Sequence, residues 1–153
     1  MGLSRTVRRR DDGSTEVALA GSIDEGADLD AVLGDLPGDM TLDMSGIERL
    51  NSIGIHRWIP RFEALAQGRR IAIEGLSYAV VMQSNCLTNL FAGQPVRSCM
   101  APYYCARCDS GRAVRVSSNE VVRGAPPAKP CPSCGERMQF DELPGYFQCL
   151  RDA

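Results

Sequence analysis

Two cysteine pairs are the residues of this chain best suited to chemistry. They are Cys105-Ala-Arg-Cys108 and Cys131-Pro-Ser-Cys134, the second followed by Gly135, with 22 residues between the pairs. Two thiolates at this spacing fold over one tight loop, so each pair can chelate a single ion while loop amides point at the sulfurs. Gly111 and Gly135 lie where such a knuckle needs positive φ. Two hooks complete a tetrahedral four-thiolate set, which suits one Zn²⁺ per chain. With every coordination position filled by protein, no water is activated, and such a closed site is structural. A disulfide pair, a dithiol redox site and an iron–sulfur cluster are the competing readings. Neither pair has the strand–helix context of a thioredoxin-like dithiol, and a reducing compartment disfavours disulfides.

The chain has seven cysteines, and an odd number cannot all form internal disulfides. Cys86 and Cys99 fall on expected core faces, where they pack as small apolar groups. Cys149 is left unassigned, either buried or a free thiol. His56 is the only histidine and has no cysteine or carboxylate pattern near it. No nucleophile–base arrangement, phosphate loop or perturbed acidic pair is present, so the sequence predicts a non-enzymatic protein.

The elements that must hold these residues divide the chain unevenly. No cysteine precedes Cys86, and after about Pro102 the text breaks into short runs punctuated by Gly and Pro. The expected division is a first domain, residues 1–102, able to bury its own core, and a small module, 103–153, that needs a metal to fold. The chain has 153 residues, with 17 basic and 19 acidic side chains. Ten basic residues face thirteen acidic ones up to 102, and seven face six after it, so neither half is strongly polarised. No run is long and apolar enough for a membrane helix, and no secretory signal opens the chain. The expectation is a cytoplasmic protein.

In the first part, Thr15–Ala20 and Met40–Met44 alternate as strands, closed by Gly21–Asp24 and Ser45-Gly46. Residues 24–30 suit the first turn of a short helix ending near Gly34. Ile55, Trp58, Ile59, Phe62, Leu65 and Ala66 recur at helical spacing up to Gly68. Pro60 inside that helix costs roughly 3 kcal/mol unless the helix bends. Arg70–Glu74 reads as a buried strand, and Ser77 caps a helix with Ala79, Met82, Cys86 and Leu90 on one face, stopped by Gly93. Val96–Met100 reads as the last strand. Alternating strands and helices predict an α/β fold.

Within this frame, Leu42-Asp-Met-Ser-Gly-Ile-Glu-Arg-Leu-Asn-Ser-Ile-Gly-Ile55 resembles the centre of a STAS domain, the anti-sigma-factor antagonist fold. Leu19-Ala-Gly-Ser-Ile-Asp24 matches that family's strand-to-helix turn. The resemblance covers roughly residues 5–102 and implies a small mixed sheet covered by helices, acting as a binding module in bacterial regulation. In that family a serine or threonine immediately before the glycine is phosphorylated by a partner kinase. Here that position is Ile53, which cannot accept a phosphate, while Asn51 stands where aspartate is frequent and Ser52 keeps a hydroxyl. The resemblance implies a partner surface at Asn51, Ser52, Ile53, Gly54 and Arg57 facing a kinase-like, sigma-related or other signalling protein. The plain alternative is that Asn51 or Ser52 only caps the helix.

Residues 103–153 resemble a zinc ribbon, with strand-like runs at Ala113–Ser117, Glu120–Arg123, Arg137–Phe140 and Tyr146–Leu150. Arg107, Arg112, Arg115 and Arg123, with Tyr103, Tyr104, Tyr146 and Phe147, raise the alternative of an adaptor that binds DNA or RNA. The module's near-neutral charge speaks against it. A small ligand on the STAS-like part is a third reading.

Overall fold

The computed structural model describes residues 2–36 and 38–151. The mostly polar, exposed strand β1 (Ser4–Arg9) comes first. Alternating apolar positions then produce strands β2 (Thr15–Ile23) and β3 (Met40–Leu50), joined by helix α1 (Leu29–Leu33). Helix α2 (Ser52–Ala66), strand β4 (Ile71–Glu74) and helix α3 (Tyr78–Cys86) follow. The strands form a mixed sheet in the order β1-β2-β3-β4. β1 runs antiparallel to β2, while β2, β3 and β4 are mutually parallel. Val17 pairs with Leu42 and Leu42 with Ile73, and all three are fully buried. This row is the centre of the core. Successive crossovers to neighbouring parallel strands keep one hand, so the helices cover one face. Trp58 anchors α2 there: its ring stacks on Phe62 at 5.3 Å and its indole N–H donates to the Leu90 carbonyl at 2.9 Å.

Strand β5 (Ser98–Cys105) then pairs antiparallel with β6 (Ser110–Ser117) and with the short β7 (Gln139–Phe140), forming a second sheet in the order β6-β5-β7. The chain also continues the first sheet here. Ile73 bridges Val96 and Leu76 bridges Cys99, both parallel. The boundary expected after residue 102 therefore falls inside β5, and buried residues from both parts form one cluster. Among the described residues, no helix is long and apolar enough to cross a membrane.

Several expectations are corrected. Gly21 and Ser45-Gly46 do not end their strands: β2 reaches Ile23 and β3 reaches Leu50, with two register shifts in their ladder. Gly46 serves a close approach instead, since a Cβ there would press on the Leu19 carbonyl. Helix α3 buries Val80, Val81 and Ser84, which leaves Met82 and Cys86 exposed. It ends at Cys86, before Gly93. Residues 120–123 form no strand, and Tyr146–Cys149 is a 3-10 helix entered through Gly145 at φ 92°. Gly111 has no positive φ; Asp109, at φ 50°, makes that turn. Pro60 sits within an unbroken α2, where the carbonyl it leaves unpaired belongs to exposed His56 and can bond water.

The first turn of α2 packs tightly on the end of β2. A Cβ on Gly54 would overlap the Ile23 carbonyl and the Asp24 amide, both rigid backbone. Gly54→Ala should therefore lower unfolding stability by about 1–3 kcal/mol, the range for overpacking a filled site. Urea denaturation checks this, and an unchanged midpoint contradicts it.

Candidate functional site

The four ribbon-spaced cysteines converge. Cys105 is the last residue of β5, and Cys108 follows on the turn into β6. Cys131 and Cys134 lie on the loop before β7. There the Cys131 N–H donates to the Glu136 carbonyl at 2.7 Å, the Gly135 N–H donates to the Cys131 carbonyl at 2.8 Å, and Gly135 takes φ 79°. The sulfurs of Cys105 and Cys134 are 3.5 Å apart, those of Cys108 and Cys131 3.9 Å, and all four lie within 4.8 Å of one another. A tetrahedron with metal–sulfur bonds of about 2.3 Å has edges of about 3.8 Å, so the cluster has the size of a four-thiolate metal site. The residues present can hold a metal ion.

The local electrostatics suit a cation. Backbone N–H groups of Cys134 and Ser133 donate to the Cys131 sulfur and lower its pKa to about 6. The Cys108 N–H donates to the Cys105 sulfur at 3.4 Å. Hydrogen bonding to the sulfurs of Cys134 and then Cys105 pushes the Cys108 thiol up to about 12. Four thiolates cannot gather here without a compensating positive charge, which a bound metal cation would supply. Cys105 and Cys131 are buried, Cys134 is half-buried and Cys108 is exposed.

The other three cysteines are separate from this set. Cys99 and Cys149 are both buried, and hydrogen bonding to Cys149, reinforced by burial, drives the Cys99 pKa far up. Cys99 is thus a protonated, neutral core group. Cys86 stands exposed on α3, against the expectation of a core position. His56 is exposed on α2.

The second candidate region is the turn into α2. Asn51 is its N-cap: its Oδ1 accepts from the Gly54 N–H at 2.8 Å. Its Nδ2 donates to Glu25 at 2.6 Å, which holds the Glu25 carboxyl below the usual carboxylate range. Arg57 donates to the Glu25 carbonyl at 2.9 Å. Ser52 and Ile53 face solvent, Ile53 at 55% exposure, while Gly54 is buried. The turn is thus rigidly capped and presents one hydroxyl and one large apolar side chain.

Beside it lies a groove of about 500 Å³, lined by Asp24, Glu48 and Arg49 from the strand ends and by Tyr78, Met82 and Gln83 of α3. The α3 wall escapes a sequence reading because Met82 has the spacing of a core residue. In the C-terminal part, Tyr103, Tyr146 and Phe147 are buried rather than displayed. Arg115 pairs with Asp43 of β3 at 3.3 Å, and Arg107 lies 3.6 Å from Glu136.

If the four sulfurs are one site, Cys131→Ser should reduce bound metal by more than about tenfold in competition with a chromogenic chelator, the upper range being set by loss of a ligand rather than an outer-shell partner. Cys86→Ser should leave metal content unchanged; equal loss in both variants contradicts the assignment. No protein-family model matches this chain, and no curated protein matches it.

Proposed function

We propose that the chain is a non-enzymatic bacterial regulatory protein that works by binding another protein. In this reading a STAS-like α/β domain is joined to a C-terminal zinc ribbon whose Cys105, Cys108, Cys131 and Cys134 hold one structural Zn²⁺. The observation that carries the reading is the α2 turn, capped by Asn51, bonded to Glu25 and exposing Ser52 and Ile53 beside a groove. A rigid turn with an exposed apolar residue suits a docking surface more than a reaction centre. The mixed sheet and the position of the turn after β3 agree with the STAS resemblance. An all-sulfur, four-coordinate donor set suits Zn²⁺ and leaves no open position for catalysis.

The partner is a kinase-like, sigma-related or other signalling protein in the cytoplasm, where the cysteines stay reduced. Protein is favoured over nucleic acid because Tyr103, Tyr146 and Phe147 are buried in the module's own core and Arg115 is paired with Asp43. Ile53 replaces the phosphoacceptor, so binding is constitutive or is regulated in the partner.

Elemental analysis of the purified chain should give about one zinc per chain. Absence of metal, or iron with visible absorption, overturns the zinc assignment. A pull-down from the source bacterium should retain a protein on the wild-type chain that is lost on Ile53→Asp. Equal retention moves the surface elsewhere. Incubation with that partner and ATP should add no phosphate by intact mass, and a phosphate on Ser52 contradicts constitutive binding.

A further inference from the structure

Helix α3 has only nine residues, too few to persist in water without tertiary support. Part of that support is Val80, Val81 and Ser84 on the first sheet. The rest comes from the C-terminal module. The Tyr78 hydroxyl donates to Glu142 at 2.8 Å, its ring stacks on Tyr146 at 6.0 Å, and Asn85 Nδ2 donates to the Tyr146 carbonyl at 3.0 Å. Tyr146 is itself fixed: its hydroxyl donates to the Met100 carbonyl at 2.6 Å, and its ring meets Phe140 and Phe147 edge-on. Phe140 lies in the two-residue strand β7, opposite Tyr103 of β5, two positions before Cys105. The other end of β7 is four residues from Gly135 of the second cysteine knuckle.

We propose that metal loading of the four cysteines controls the order of α3, and with it the α3 wall of the groove beside the α2 turn. The inference rests on the reading of the cysteine cluster as a metal site. Between the cysteine loop and Arg151, which pairs with Val96, the backbone is tied to β5 by the two-residue β7 and the Asp141–Pro102 bond. That ladder is too short to hold the stretch by itself, and the metal would clamp the loop at its start. With the clamp released, the seats of Phe140 and Tyr146 are lost, and α3 loses its stacking partner and two hydrogen bonds together. Tyr78, Met82 and Gln83, which line the groove, then have no fixed position. The bistable element is the module itself, folded with metal and open without it. Helix α2 is spared, because Trp58, Phe62 and Phe91 pack among themselves away from the module.

Hydrogen exchange of the full chain, zinc-loaded and then stripped with a chelator, tests this. Stripping should speed amide exchange in α3 by about tenfold or more together with residues 103–151, leaving α2 and the Trp58 emission unchanged, and added zinc should reverse it. In the zinc-loaded chain, Tyr146→Leu should speed α3 exchange with zinc still at one per chain. The proposal is overturned by an α3 that keeps its protection while the module opens, by a module that stays closed without metal, or by loss of protection throughout the chain. A chain that binds no zinc overturns the metal reading itself, a result distinct from zinc that binds without affecting α3.

Discussion

Strand β5 has two hydrogen-bonding edges, and no single neighbour covers both. One edge is met along its length by β6. The other is shared: Leu76, just after β4, exchanges bonds with Ser98 and Met100, and further along Tyr103 and Tyr104 pair with β7. Between these partners stands Pro102, whose carbonyl accepts from the Asp141 N–H at 2.9 Å. A residue's N–H and C=O point to the same edge of a strand. The missing N–H of Pro102 is thus aimed at the gap where one partner ends and the next begins, a place where a donor is not needed. Neither half of the chain can satisfy this strand alone, so the two sheets are obliged to meet along it.

That obligation places the cysteines. Cys105 closes β5, so the first knuckle grows directly from a strand anchored in the first core. The second knuckle is carried by a loop with little apolar content of its own: Met138, Phe140, Tyr146 and Phe147 are most of what residues 125–151 can bury beyond the cysteines. Burial of these side chains contributes roughly 1.5–3 kcal/mol each at best, too little against the entropy of ordering the whole segment. Charge at the cluster sharpens the requirement. Amides lower the Cys131 thiol toward ionisation while neighbouring sulfurs push the Cys108 thiol the other way, so without a cation the cluster is electrostatically frustrated.

Local signals were legible in the sequence wherever a short-range mechanism produced them. Asn51 and Ser77 cap helices as their types demand, and the Trp58–Phe62 spacing put both rings in the core. Cys-x-x-Cys spacing placed four sulfurs correctly because each knuckle is closed within a few residues. Misreadings came where one residue type answers two needs. Gly46 looked like a turn and is a point of backbone contact; Tyr146–Leu150 alternated like a strand, yet Gly145 at positive φ starts a 3-10 helix. Helix α3 misled because packing on two sides blurs its apolar face. The Tyr78–Glu142 bond joins residues 64 apart, and no periodicity can announce such a pair.

The groove gives these constraints a shared consequence. Ile53, Tyr78 and Met82 are each more than 40% exposed, and they belong to two helices whose N-terminal turns flank the same ends of β2 and β3. Leaving such side chains in water forgoes about 25 cal/mol for each Å² of apolar surface that a partner would cover. At Ile53 the chain has an apolar contact where a hydroxyl would permit covalent control, so in the proposed reading this turn contributes affinity and no switch. The other wall of the groove, on α3, is the one whose order the proposed metal dependence would change. Tyr78 is the residue through which the proposed metal dependence would reach the groove, because its ring stacks on Tyr146 and its hydroxyl donates to Glu142, both in the segment that follows the cysteine loop.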